Sequence, residues 1–222
     1  MKISNETISV LKNFSDINQN ILVKPGKKLQ TLSGMKNILA EASVTEAFEQ
    51  EFGIYDLGEF INTLSLFKEP ELKFENDKSL KVVNGDGKSQ VKYFFADKSV
   101  ILSPTKTIPI DDVKCSFNIS SNELDQLKKA SAVLNLPDLS AVGDGKHIHL
   151  SVSDKKNSTG NDYSLKVGET KSKFQVNFKV ENLKIIPGNY SVQVDGKKVA
   201  LFENKDKPVK YWIALEPDST FE

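Results

Sequence analysis

Few residues in this chain have the types or spacing that chemistry needs. His147 and His149 stand two positions apart, which on a strand puts both imidazoles on one face. A metal would need a third ligand, and no cysteine or carboxylate stands at a suggestive spacing, so a polar strand face accounts for the pair. The single cysteine, Cys115, is flanked by strand-forming residues and is expected in the core, with no motif to make it a nucleophile. The glycine runs Asn84-Gly85-Asp86-Gly87 and Gly143-Asp144-Gly145 lack the Lys-Ser/Thr pair and following helix of a phosphate loop. They read as hairpin turns. Carboxylates are many but scattered, and none pairs off as an acid and a base. The expectation is a non-catalytic protein without metal or cofactor.

The totals restrict the alternatives. Thirty Lys+Arg balance thirty Asp+Glu over 222 residues, for zero formal net charge. That argues against gripping nucleic acid by bulk charge. A role on DNA would require charge segregated onto one face, or a grip that is not electrostatic. No run of eighteen apolar residues predicts a membrane helix, and the start lacks the apolar stretch of a signal peptide. With one cysteine, the expectation is an intracellular, cytoplasmic protein.

The elements that would position any site repeat. Ser4-Asn5-Glu6 recurs as Ser121-Asn122-Glu123, 117 positions later, and Val91-Lys92-Tyr93-Phe94 recurs as Val209-Lys210-Tyr211-Trp212, 118 positions later. Between them, Phe52–Leu57 parallels Phe178–Leu183. Each half opens with a helical pattern capped by Ser4 or Ser121: Ile8, Leu11 and Phe14 in the first, Leu124, Leu127 and Leu134 in the second. A mid-half helix runs from Asp56 to Phe67. Its counterpart, Glu181 to Ile186, is cut short by Pro187-Gly188. Short strands close each half, among them Val91–Phe95, Val100–Leu102, Tyr190–Val194, Lys198–Phe202 and Val209–Leu215. The expected domains are 1–103 and 113–222, joined by an extended two-proline connector at 104–112. On the opening helices Lys12 and Lys129 are equivalent under the repeat and lie opposite the apolar face, with Lys128 beside the second. Asp16 and Asp125 share those faces.

Met1-Lys2-Ile3-Ser4, Leu11-Lys12-Asn13-Phe14, Ile54-Tyr55-Asp56-Leu57, Pro187-Gly188-Asn189-Tyr190 and Ala214-Leu215-Glu216-Pro217-Asp218-Ser219-Thr220 resemble the sliding clamps of T-even-type bacteriophages, from first residue to last. The resemblance implies the α+β DNA-clamp fold: two similar domains per chain, each with two inner helices and outer antiparallel sheets, three chains closing a homotrimeric ring. Such a ring encircles duplex DNA and confers processivity on a DNA polymerase. Its partners would include an ATP-driven clamp loader and RNA polymerase-associated late transcription factors, inside the infected bacterium. Twelve inner helices about 10 Å apart leave an opening of roughly 30 Å, so the grip is topological and needs no net charge. DNA-facing candidates are Lys12, Lys128 and Lys129, then Lys2, Lys68 and Lys184. Subunits would join by pairing Val100, Ile101 and Leu102 with the strand bearing Tyr163, Leu165 and Val167. Partner tails would dock in a pocket walled by Ile108, Pro109, Ile110, Val199, Leu201, Trp212, Ala214 and Pro217. The rival reading is a duplicated β-rich scaffold with no DNA role.

Overall fold

The computed structural model describes residues 1–157 and 159–221. The chain divides into two compact units, 1–106 and 107–222, with the division inside the two-proline segment.

The first unit runs α1 (Asn5–Ile17), β1 (Ile21–Val23), β2 (Gly26–Leu32), β3 (Ile38–Phe48), β4 (Phe52–Ile54), α2 (Leu57–Ser65), β5 (Pro70–Asn76), β6 (Ser79–Asn84) and β7 (Gln90–Phe94). β2 and β3 form a hairpin, β1 pairs with β4, and β5-β6-β7 is an antiparallel meander. Thr7, Leu11, Phe14 and Ile17 line the buried stripe of α1, and Leu57, Phe60, Ile61 and Leu64 that of α2. Apolar residues three and four apart make each helix one-sided, so both must lie against the sheets. Phe48, Phe52, Phe74 and Phe95 form a chain of tilted rings, with neighbouring centroids 5.0–6.4 Å apart.

The second unit runs β8 (Val113–Ile119), α3 (Ser121–Leu134), β9 (Asp138–Asp144), β10 (His147–Ser153), β11 (Asp162–Glu169), β12 (Lys173–Lys179), β13 (Tyr190–Asp195), β14 (Val199–Asn204), β15 (Val209–Ala214) and β16 (Thr220–Phe221). One sheet has the order β11-β10-β9-β12-β16; β8, β13, β14 and β15 are neighbours in another. α3 lies against β10 and β11. Tyr190, Phe178, Phe202 and Tyr211 form the aromatic core.

Three expectations change. Among the described residues the second unit has one α-helix; where a second was expected there is only a single 3-10 turn, Val180–Asn182. No side chain caps that turn, and Pro187 disfavours helical backbone at Ile186 before it. Leu183, Ile185 and Ile186 fill the core from chain that is neither helix nor strand, with the Tyr211 hydroxyl accepting the Ile186 N–H and the Tyr190 hydroxyl donating to its carbonyl. An opening calculated from twelve like helices loses that basis. Val100–Leu102 is not a strand either. The Asp97 carboxylate accepts the Ser99 N–H at 2.8 Å and starts a 3-10 turn, Lys98–Val100, so the last strand of the first unit is β7. Finally, the cap of α3 is Ser120, not Ser121: Ser120 and Glu123 exchange bonds in a capping box.

Candidate DNA-facing, subunit and partner surfaces

Matching caps moves the register of the repeat by one. Ser4 caps α1 and Ser120 caps α3, so Lys12 corresponds to Lys128 rather than to Lys129. The two caps solve one problem differently. In α3 the carboxylate accepting the Ser120 N–H is local, from Glu123. In α1 it comes from β3: buried Glu46 accepts the Ser4 N–H and the Thr7 hydroxyl. Burial opposes the Glu46 charge, but the bonds from Thr7 and Ser4 outweigh it and hold the carboxyl below its ordinary value.

Lys12 and Lys129 are exposed on α1 and α3. Lys128 is half-buried, and desolvation lowers its pKa against the pull of Asp125. Together the three helices carry three lysines against five carboxylates, Glu6, Asp16, Glu59, Glu123 and Asp125. None of these three helices offers a basic stripe. Lys68 and Lys184 are exposed outside the helices, and Lys2 lies opposite Glu71 of β5 in an antiparallel backbone bridge, its ammonium paired with Glu69 at 3.3 Å. The structure therefore leaves Lys2, Lys68 and Lys184 off the helical faces.

The chain's first residues hydrogen-bond along the outer edge of β5, with the Leu72 N–H donating to the Met1 carbonyl at 2.8 Å. β7 ends its sheet on the other side. Val91 and Tyr93 turn inward, Tyr93 meeting Phe60 edge-on at 5.0 Å, while Gln90, Lys92 and Phe94 turn out. Phe94 is 66% exposed, and Val100, further along the chain, is 55% exposed. In the second unit β11, with Tyr163, Leu165 and Val167 half-buried, ends its sheet in the same way. Long unpaired edges bearing apolar side chains invite another strand. β2, also an edge, is guarded by Lys27 and Lys28. Phe94 was missed in the sequence, although it stands where Trp212 stands in the repeat.

β14 and β15 assemble the partner-pocket candidates. Val199 lies opposite Ala214 and Leu201 opposite Trp212, so these four share one face. Ala200, Phe202, Tyr211 and Ile213 occupy the other, buried face. The indole Nε1 of Trp212 is buried without a hydrogen-bond partner. Ile108 and Ile110 are half-buried and alternate with exposed Pro109; Pro217 is exposed, its carbonyl accepting from the Lys198 ammonium. His147 and His149 lie on the solvent side of β10, rings 6.1 Å apart, with Ile148, Leu150 and Val152 on the side facing inward. Cys115 is buried in β8, and burial pushes its thiol up to about 12.

Two units, each of helix and antiparallel sheet, give this chain the sliding-clamp class of fold. A crystal structure of Proliferating Cellular Nuclear Antigen from Entamoeba histolytica superposes with a TM-score of 0.70 over 94% of each chain at 15% identity. Residues 4–103 match the family described as DNA polymerase processivity factor, and residues 116–217 match the gp45 sliding clamp, C terminal. The chain is 34% identical to the sliding clamp of Escherichia phage RB69 over 99% of both chains. It is 31% identical to that of Enterobacteria phage T4, again over 99% of both. Against that of Vibrio phage KVP40 the figure is 30%, covering 97% of this chain and 99% of the relative. The chain belongs to the sliding clamps of T4-like phages, the DNA polymerase processivity factors.

Proposed function

We propose that three copies of this clamp close a ring around duplex DNA, with β7 of one subunit pairing with β11 of the next, and that the ring tethers the replicative DNA polymerase through a tail docked on the Val199–Trp212 face. An ATP-driven loader opens the ring and sets it on DNA inside the infected cell. The observation that carries this reading is the pair of open edges, one in each unit, with Phe94 exposed on the first. Because Val100–Leu102 is not a strand, the edge proposed for the subunit contact is β7 instead.

The charge inventory fits a topological grip. A protein that held DNA by phosphate contacts would lose affinity steeply with salt. Helices with more carboxylates than lysines hold nothing tightly, and a closed ring does not need them to. Lys12, Lys128 and Lys129 then act as local centring charges that slide from phosphate to phosphate without reading bases. Sliding clamps are scaffolds by family: the polymerase does the chemistry.

Primer extension on a long template checks this. Reversal of the equivalent pair, Lys12→Glu with Lys128→Glu, should shorten products in the presence of loader and polymerase while the solution mass stays that of three chains. Product lengths equal to the wild type would remove the helices from the DNA-facing surface.

A further inference from the structure

The connector's course is not set by any ladder, since residues 103–111 form neither helix nor strand. Its far end is nonetheless held by a buried acid. Asp195, fully buried at the end of β13, accepts the N–H groups of Asp111 and Asp112 on one carboxylate oxygen, each at 2.9 Å. The other oxygen accepts the Lys197 N–H at 2.8 Å. Burial opposes the charge, but the backbone donors prevail and keep this carboxyl below its ordinary range. The contact is close on the next residue too. The Gly196 N–H donates to the Asp112 carbonyl at 2.9 Å, and a Cβ at Gly196 would stand 2.5 Å from the Asp112 carboxylate. The Lys197–Asp111 ion pair, 3.5 Å and exposed, adds little.

This turn leads straight into β14, which carries Val199 and Leu201. We propose that the Asp195–Lys197 turn is a latch fixing the connector against the β14 face, and that Asp195 is a positioning residue for the docking of a partner's apolar tail. The inference rests on the reading that tails dock between connector and β14–β15 face. Asp195 touches no tail. It sets where Ile108, Pro109 and Ile110 stand, three residues upstream of the bonded amides. A connector released from the latch spends only part of its time in the docking-competent place, and the apparent affinity falls by that fraction.

The test uses the full-length clamp and a synthetic C-terminal tail peptide of its cognate DNA polymerase, titrated by calorimetry and by Trp212 fluorescence. Asp195→Asn weakens the latch. Asp111→Pro deletes one donated N–H, leaves the carboxylate in place, and decides alone should Asp195→Asn fail to fold. Hydrogen exchange reads the latch directly. Both variants should bind the tail roughly tenfold more weakly, as expected of a connector in place about a tenth of the time. The Asp111 or Asp112 amide remaining in each should exchange faster while the amides of β13 and β14 keep their protection. Wild-type affinity in a folded variant whose connector amides have lost protection would overturn the proposal, as would unchanged protection in both variants. A wild-type clamp that binds no tail by either readout would overturn the pocket reading and the tail-positioning role with it, and exchange at Asp111 and Asp112 would still report whether the latch exists.

Discussion

Phe94→Ala should break the ring while leaving each chain folded. Phe94 is 66% exposed on the outward face of β7, an edge strand, and Phe60 and Tyr93 form the packed core on the inward face without it. An aromatic side chain buries on the order of 200 Å² when covered. Covering the exposed two-thirds removes about 130 Å² from water, worth about 3 kcal/mol at ~25 cal/mol per Å². Alanine forfeits most of that at each subunit contact, which is roughly a hundredfold in the dissociation constant. Sedimentation equilibrium across a concentration series would show the midpoint between ring and single chains moving up accordingly, with unchanged far-UV circular dichroism. Met35, 87% exposed at the tip between β2 and β3, is the control: Met35→Ala removes as prominent an apolar side chain from a turn outside both candidate edges and should move nothing. A Phe94→Ala protein that assembles at the wild-type concentration would refute the pairing of β7 with a neighbouring chain.

Glu46→Gln should destabilise the first unit by about 1–3 kcal/mol at neutral pH, because two bonds to α1 lose their charge. The folded pKa of Glu46 lies below its unfolded value, so its contribution is complete above the unfolded value and lost as pH falls through the folded one. Urea titrations at a series of pH values should show a shallower acid loss in the variant; parallel curves would remove Glu46 from that role. Gly143→Ala should cost about 1–3 kcal/mol by overpacking. A Cβ there would stand 2.4 Å from the Phe174 ring, and the melting temperature reads the result.

Local patterns were legible in the sequence, and partnerships made over distance were not. The apolar stripes of α1, α2 and α3 and the alternation of β13 to β15 show in residue order because one period decides each. The cap of α3 was misplaced by one because Ser-Asn-Glu matched by letter, whereas the capping box needs Glu123 three residues after Ser120. The matching carboxylate of α1 sits in β3, and no local signal links Glu46 to Ser4. Val100-Ile101-Leu102 has strand composition, but Asp97 turns the chain just before it. Val180 to Ile186 has enough apolar residues for a helix, but Pro187 and the adjacent β-branched Ile185 and Ile186 favour extended chain. Of the surfaces, the shared face of Val199, Leu201, Trp212 and Ala214 follows from strand alternation. Asp195 could not be found that way, since its importance lies in backbone amides more than eighty residues earlier.

A ring that holds DNA topologically lets go only when the DNA offers an end. Clamp loaded by its loader onto a nicked circular duplex, washed in high salt and then treated with an enzyme that cuts the circle once, measures it directly. A topologically held clamp should stay on the circle through the wash and leave when the circle is cut. Clamp washed off the intact circle by salt, or retained on the cut linear DNA without any block at its ends, would contradict it.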